Sequence, residues 1–287
     1  MSDETRGGVS PSEAFAALGD ETRVAILEAL CESEDKRASF SDLRAHVGVR
    51  DSGQFNYHLS KLLDTFVRRT DEGEYELTYA GHRVVGAILS GTYNERGSTR
   101  TFELESRCYK CEMAIEASYE DETVDITCPS CDDQLSSFGF PPDGFEGRDT
   151  NALTQAFERW LLGVLSLIMD GICPNCYGVT EGGLSDQEDV FDEGVGVSFA
   201  CRRCHERTQL PVSVYVLHFP DVIAFCADHG VDLRDTAIWN LPFVREESLT
   251  ILDEEPWCVR TTIELEGETL EVTLEEDLTV SDLRRTS

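Results

Sequence analysis

Eight of the eleven cysteines stand in four Cys-x-x-Cys pairs, a spacing that brings two thiolates to one metal ion. Cys108 and Cys111 are separated from Cys128 and Cys131 by sixteen residues, and Cys173 and Cys176 from Cys201 and Cys204 by twenty-four. Each set of four matches a zinc ribbon, in which two knuckles hold four thiolates tetrahedrally about 2.3 Å from the metal. Four thiolates leave no coordination position for an activated water. The expected role is therefore structural, with two zinc ions per chain. Two other chemistries fit the same residues: a rubredoxin-like iron centre, which tetrahedral sulfur also suits, and a local disulfide within each pair. His205 adjoins Cys204 and is superfluous once four thiolates are present. Cys226-Ala-Asp-His229 has Cys-x-x-His spacing, but only Cys258 is left to complete a set, so it reads as ordinary structure.

A second group of residues could read nucleic acid. Gly53 to Phe66 has a helical repeat in which Phe55, Leu59, Leu62, Leu63 and Phe66 form one apolar stripe, with Asp51 or Ser52 as cap. Arg50, Gln54, Tyr57 and Lys61 fall opposite that stripe, with His58 on its flank and Asn56 among the polar positions. Amide, phenol and ammonium groups in one row can pair with base edges in a major groove. Val67 to Thr78 alternates about Glu72-Gly73, the mark of a hairpin, and places Arg68 and Arg69 where a wing would approach phosphate. No P-loop, dinucleotide fingerprint or nucleophile elbow occurs, and the many acidic pairs read as solvated surface, so an enzyme is not expected.

Positioning these groups requires several elements. Residues 1–9 read as a disordered tail. Residues 10–93 read as short helices, a hairpin and a closing helix over Ala80 to Leu89. Among them are an amphipathic helix over Asp20 to Cys31, capped by Asp20 with Cys31 on its apolar stripe, and a helix from Ser39 or Ser41 that stops at Gly48. Gly91 to Ser98 is a polar linker. A first cysteine module occupies 99–142, with Glu112 to Thr127 strand-like. A connecting helix lies within 143–172, capped by Asp149 or Thr150, stopped by Gly171, and apolar along Leu153, Phe157, Trp160, Leu161, Val164 and Ile168. The last ten residues of that helix read as core or as a dimer seam. A second module with helical and β segments fills 173–287: Pro220 to Trp239 reads as helical in two pieces and Val259 to Val280 as two strands around Glu266-Gly267. The two cysteine blocks look like a loose internal duplication. The fold class is α+β.

Phe15-Ala-Ala-Leu-Gly-Asp-Glu-Thr-Arg-Val-Ala-Ile-Leu27 and Gln54-Phe-Asn-Tyr-His-Leu-Ser-Lys-Leu62 carry a resemblance to the winged helix-turn-helix of ArsR-type transcription regulators. The resemblance covers about 85 residues. It implies that the Gln54–Lys61 helix enters the major groove, that the hairpin touches the backbone, and that a homodimer reads a two-fold site in double-stranded DNA. It does not bring metal sensing with it, because neither of that family's ligand sets stands at the matching positions, Ser41 to His46 and Ala80 to Val85. Val222-Ile-Ala-Phe225 and Asp228-His-Gly-Val-Asp-Leu-Arg234 resemble C-terminal regions of haloarchaeal helix-turn-helix regulators.

Net charge argues against a polyanion partner at first sight. Fifty-six acidic residues against twenty-four basic ones give −32, and only three of the basic residues are lysines. The acids are spread along the chain, as in proteins from salt-loaded halophile cytoplasm, where surface charge maintains solubility. In molar salt the Debye length is about 3 Å, so the global charge repels DNA little beyond contact. The opening residues are polar, and the longest apolar run, Trp160 to Met169, is interrupted by Gly163 and Ser166. Neither signal peptide nor membrane span is expected, which points to the cytoplasm.

The expected function is sequence-specific transcription regulation, with zinc used structurally. Its competitors are a basal transcription adaptor that docks on the transcription machinery and a thiol-based redox or metal-responsive switch.

Overall fold

The computed structural model describes residues 8–286 apart from 96, 109, 188–193, 235, 242 and 245–247; most of the predicted tail lies outside the described residues. The chain forms two compact units, one built from residues up to 97 together with 141–144, the other from 98–140 and 145–287.

The first unit is built from short helices whose ends are written in the sequence. Helices α1 (Pro11–Leu18), α2 (Glu21–Glu32), α3 (Phe40–Val47) and α4 (Ser52–Leu62) begin at Ser10, Asp20, Ser39 and Asp51, whose side chains accept backbone N–H groups of the first turn. Gly48, at φ 76°, closes α3. Strands β2 (Val67–Arg69) and β3 (Tyr75–Leu77) form the expected hairpin, and Thr78 caps α5 (Tyr79–Leu89). A two-residue strand β1 (Arg37–Ala38) adds to β3, giving the antiparallel order β1-β3-β2. The core gathers Ile26, Leu27 and Leu30 of α2, Leu43 of α3, Phe55, Leu59 and Leu62 of α4, and Val85 of α5. Helix α4 is one turn shorter than its apolar repeat suggests. Asp64 turns left-handed at φ 66°, and Phe66 reaches the core from the turn that follows.

In the second unit, β4 (Arg100–Arg107), β5 (Ala114–Glu120), β6 (Thr123–Cys128) and β7 (Asp133–Gly139) form an antiparallel sheet in sequence order. The segment read as one strand, Glu112 to Thr127, is a hairpin. Asp121 and Glu122 both take positive φ, which no glycine announces. Helix α6 (Thr150–Met169) follows, capped by Asp149. Strands β8 (Thr180–Asp186), β9 (Val195–Cys201) and β10 (Arg207–Leu210) then make a three-stranded sheet in the order β10-β9-β8. After α7 (Val212–Tyr215) and α8 (Pro220–Asp228), the predicted second helical piece is only a 3-10 turn at Ile238–Asn240. Gly230, at φ 73°, ends α8 and folds its N–H back onto Ala227. The final segment holds four strands where two were expected: β11 (Leu249–Glu254), β12 (Trp257–Leu265), β13 (Glu268–Glu275) and β14 (Val280–Thr286), paired in order.

Helix α6 serves two cores. Leu153 and Phe157 of its first half pack with Ile115, Tyr119, Val124, Ile126 and the distant Trp239. Leu165 and Ile168 of its second half pack with β9, α8 and the β12–β13 face. Trp160, placed by the sequence on this apolar stripe, is 45% exposed and donates its indole N–H to the Gly139 carbonyl at 2.9 Å. By length and composition alone α6 could cross a membrane. Its buried residues are committed to two packed cores, and a span would carry Glu158 and Arg159 into hydrocarbon at a cost of several kcal/mol.

Candidate metal centres

Both sets of four cysteines are assembled by tertiary structure. Cys108 Sγ lies 3.6 Å from Cys131 Sγ, and Cys111 Sγ lies 3.4 Å from Cys128 Sγ. In the second set, Cys173 pairs with Cys204 and Cys176 with Cys201, each at 3.5 Å. A tetrahedron of thiolates about 2.3 Å from a zinc ion has edges of about 3.8 Å, whereas a disulfide needs about 2.05 Å. The sulfurs of each set all lie within 4.8 Å of one another, and all eleven cysteines are free. Each set could hold one metal ion. The local disulfides weighed above are not what the structure holds.

One local device recurs in all four knuckles. The residue after the second cysteine adopts left-handed backbone: Glu112 (φ 59°), Asp132 (57°), Tyr177 (55°) and His205 (62°). That twist returns its N–H to the carbonyl of the first cysteine, from Glu112 to Cys108 at 2.8 Å, Asp132 to Cys128 at 2.9 Å, Tyr177 to Cys173 at 2.9 Å and His205 to Cys201 at 3.1 Å. His205 thus belongs to the turn of its knuckle. None of the four is glycine, so residue type alone does not reveal the turn.

Backbone dipoles prepare thiolates. The N–H groups of Cys204 and Arg203 hold the Cys201 thiol down to about 6; the Arg203 N–H lies 3.4 Å from the sulfur. At Cys128 burial works the other way, yet the N–H groups of Cys131 and Ser130 outweigh it and bring the thiol to about 7. Burial and the neighbouring sulfurs push the Cys131 thiol the other way, to about 12, so bringing all four sulfurs of a set to thiolate needs a cation. Gly178 keeps space beside the second set. A Cβ there would stand 3.1 Å from both Cys176 Sγ and Cys201 Sγ.

The eight residues picked out for nucleic acid divide into groups. Arg50 is exposed ahead of α4, and on that helix Gln54, Asn56, Tyr57 and Lys61 face solvent, with the Lys61 ammonium 5.4 Å from the Tyr57 ring centre. His58 departs from the expectation: it is 9% exposed, and Nδ1 lies 3.1 Å from Asp20 Oδ1, outside hydrogen-bond alignment. A flanking position on a helix that packs against α2 turns inward, so His58 is withdrawn from the exposed row. On the hairpin, Arg68 Nε donates to Glu76 Oε1 at 2.6 Å and Arg37 Nε to Oε2 at 2.7 Å. Those two bonds, Arg68 first, hold the Glu76 carboxyl below its usual range. Arg69 Nε reaches the Gly73 carbonyl at 3.4 Å, with its guanidinium over the Tyr75 ring. The cross-strand Glu76 and the third strand that brings Arg37 are what sequence reasoning missed. The i to j pairing Arg68–Glu76 across the hairpin was the available signal.

A family described as Domain of unknown function (DUF7347) matches residues 11–88, the helical part of the first unit. No curated protein and no solved structure matches the chain. The cysteine modules, α6 and most of the terminal sheet fall within one further match, residues 105–280, and on that match the chain belongs to the family described as Domain of unknown function (DUF7351).

Proposed function

We propose that the chain is a DNA-binding transcription regulator, a winged helix-turn-helix of ArsR type followed by two zinc ribbons that serve as structural staples. The observation that carries this reading is the exposed face of α4. In a chain with fifty-six acidic residues, Ser52–Leu62 contains none and presents Gln54, Asn56, Tyr57 and Lys61 to solvent, with Arg50 just ahead. These are side chains that pair with base edges and stack on them. The element order, with a capped helix pair α3–α4 followed by a hairpin and a closing helix, agrees with the family resemblance. Arg68 and Arg69 are the wing's phosphate groups in this reading, and Arg68 exchanges Glu76 for phosphate on binding.

Zinc is the metal we assign, because four thiolates at ribbon spacing suit a closed structural site. The protein acts in the cytoplasm as a homodimer. Phe15 of α1, 74% exposed, and Leu89 of α5, 58% exposed, supply apolar surface for that contact.

The test is selection of bound fragments from random duplex DNA at high salt, using the metal-loaded full chain. An enriched, two-fold symmetric site is expected. Gln54→Ala should cost about 1–3 kcal/mol and relax one base position, whereas Arg68→Ala, on the wing, should weaken all sequences alike. Retention without any enriched sequence would sink the regulator reading. Elemental analysis of the same sample should give two zincs per chain, and iron in their place would overturn the metal assignment.

A further inference from the structure

We propose that the second unit carries a binding site for a neutral, largely hydrocarbon small molecule bearing one hydroxyl group. The site is a groove of about 630 Å³ between the second half of α6, the α7 segment with its following 3-10 turn, α8, and residues 230–234 and 236–241. That volume lies within the roughly 300–1,000 Å³ of pockets that take drug-sized ligands. Its walls are hydrocarbon, chiefly Leu162, Met169, Leu217, Ile223 and Leu233. The thioether of Met169 adds a side chain that adapts to ligand shape.

Charge selects the ligand class. Of the chain's residues 28% are charged, yet of seventeen lining residues only Asp232 and Arg234 are, and they neutralise each other. Arg234 Nε and Nη2 donate to the two carboxylate oxygens of Asp232 at 3.0 and 2.7 Å, and the Arg234 backbone N–H adds a third bond at 3.0 Å. Among the described lining residues no net charge remains, which favours neither an anion nor a cation. His218 supplies the polar handle. Its Nδ1 lies 2.5 Å from the Tyr215 carbonyl oxygen, to which it donates, and this leaves Nε2 as an acceptor for a ligand hydroxyl. A second copy of the chain is a poor occupant. Exposed Asp170 and Asp221 flank the lining residues in sequence, and a copy would bring the same carboxylates against them. The proposal stands apart from DNA binding, because every lining residue belongs to the second unit.

The test is a titration of the metal-loaded full chain with Nile red, a neutral apolar dye whose emission shifts to the blue out of water. Saturation at one dye per chain is expected, with the anionic dye anilinonaphthalene sulfonate at least tenfold weaker. Ala227→Phe, on the exposed groove side of α8, should weaken Nile red at least tenfold while both metals and the unfolding midpoint are kept. If that variant fails to hold two metals, Ser166→Phe blocks the groove from the α6 wall. Three results would overturn the site: no saturable Nile red binding, equal binding to a folded blocking variant, or tighter binding of the anionic dye. Sedimentation equilibrium supplies a fourth, a dimer that a blocking variant dissociates, which would assign the groove to a second copy.

Discussion

The two cysteine modules share their knuckles and a three-strand plan but not the cores that surround them. In both, one knuckle precedes a strand, the next strand ends in the first cysteine of the second knuckle, and a third strand leaves it: β5-β6-β7 in the first module and β8-β9-β10 in the second. Cys108 N–H bonds to the Met113 carbonyl at 2.8 Å as Cys173 N–H bonds to that of Gly178 at 2.9 Å. Burial also repeats: the first cysteine of each pair is buried, the second of the leading pair half-buried and the last exposed. The surroundings differ. The first module adds β4 and packs an aromatic cluster, with Phe157 against Phe138, Phe140 and Phe145. The second has an aliphatic core that continues into α8 and the terminal sheet, and Leu184 N–H bonds to the Glu276 carbonyl at 2.9 Å. The comparison teaches that a metal knuckle is a local unit of about five residues, which different cores can adopt.

The comparison breaks most completely if one metal is removed. Cys108→Ser with Cys111→Ser, or Cys173→Ser with Cys176→Ser, should each lower metal content from two to one per chain. Structural zinc sites carry about 10–16 kcal/mol of apparent binding energy, comparable with the whole stability of a domain. The affected core should therefore unfold. Loss of the first site should shift Trp239 emission to the red, because that residue is buried in the first core. Loss of the second should raise hydrogen exchange through α8 and the terminal sheet as well. If both pairs of substitutions gave the same exchange pattern, the two cores would not be distinct.

A smaller effect should come from α6, the helix both cores share. Phe157→Ala should cost about 3–5 kcal/mol and Leu165→Ala about 2–5 kcal/mol in denaturant unfolding. The first should raise exchange in β4–β7 and the second in β8–β10. Equal loss throughout the unit would mean that α6 couples the two cores into a single cooperative one.

The knuckles themselves can be told apart at one matching position. Gly178→Ala should weaken metal at the second site about 10- to 100-fold in a chelator competition, because its Cβ crowds two ligand sulfurs. Met113→Ala, where the first module already carries a side chain that is 53% exposed, should leave its site unchanged. An equal loss at both would show that this position does not distinguish the two knuckles.

The smallest effect is alkaline. Burial pushes the Cys226 thiol, in the second core, up to about 11. The folded state therefore keeps a proton that the unfolded chain loses near 9, so this contribution is fully present below pH 9 and is lost as pH rises through about 11. Burial, the largest cause, also raises the Tyr119 phenol of the first core above its ordinary 10. The second core should begin to weaken about one pH unit earlier, followed by hydrogen exchange in α8 against β5. Cys226→Val should remove the earlier limb, and its persistence would assign it to another group.

Much of the local structure was legible in the residues. Asp20, Ser39, Asp51 and Asp149 start helices because their side chains satisfy first-turn N–H groups, and Gly48 and Gly171 stop them because left-handed backbone costs glycine least. The cysteine spacing named the ligands of both centres before any geometry was known. Less legible were elements whose partners are distant. Strand β1 has two residues and exists through pairing with β3. Strands β11 and β14 are edge strands with mostly exposed residues, so their apolar pattern is weak. Asp121-Glu122 turns a hairpin with neither glycine nor proline.

By itself the sequence determined what short-range chemistry can determine: helix ends, the polar face of α4, and eight thiols in pairs that suit a tetrahedral metal. Only the tertiary structure decided which knuckle meets which, that Trp239 crosses some hundred residues to close the first core, that His58 turns in against Asp20, and that Glu76 holds two arginines. The reason is physical. Caps and knuckles are stabilised by groups a few residues apart, whereas burial and ion pairing depend on surfaces that exist only once the chain has folded.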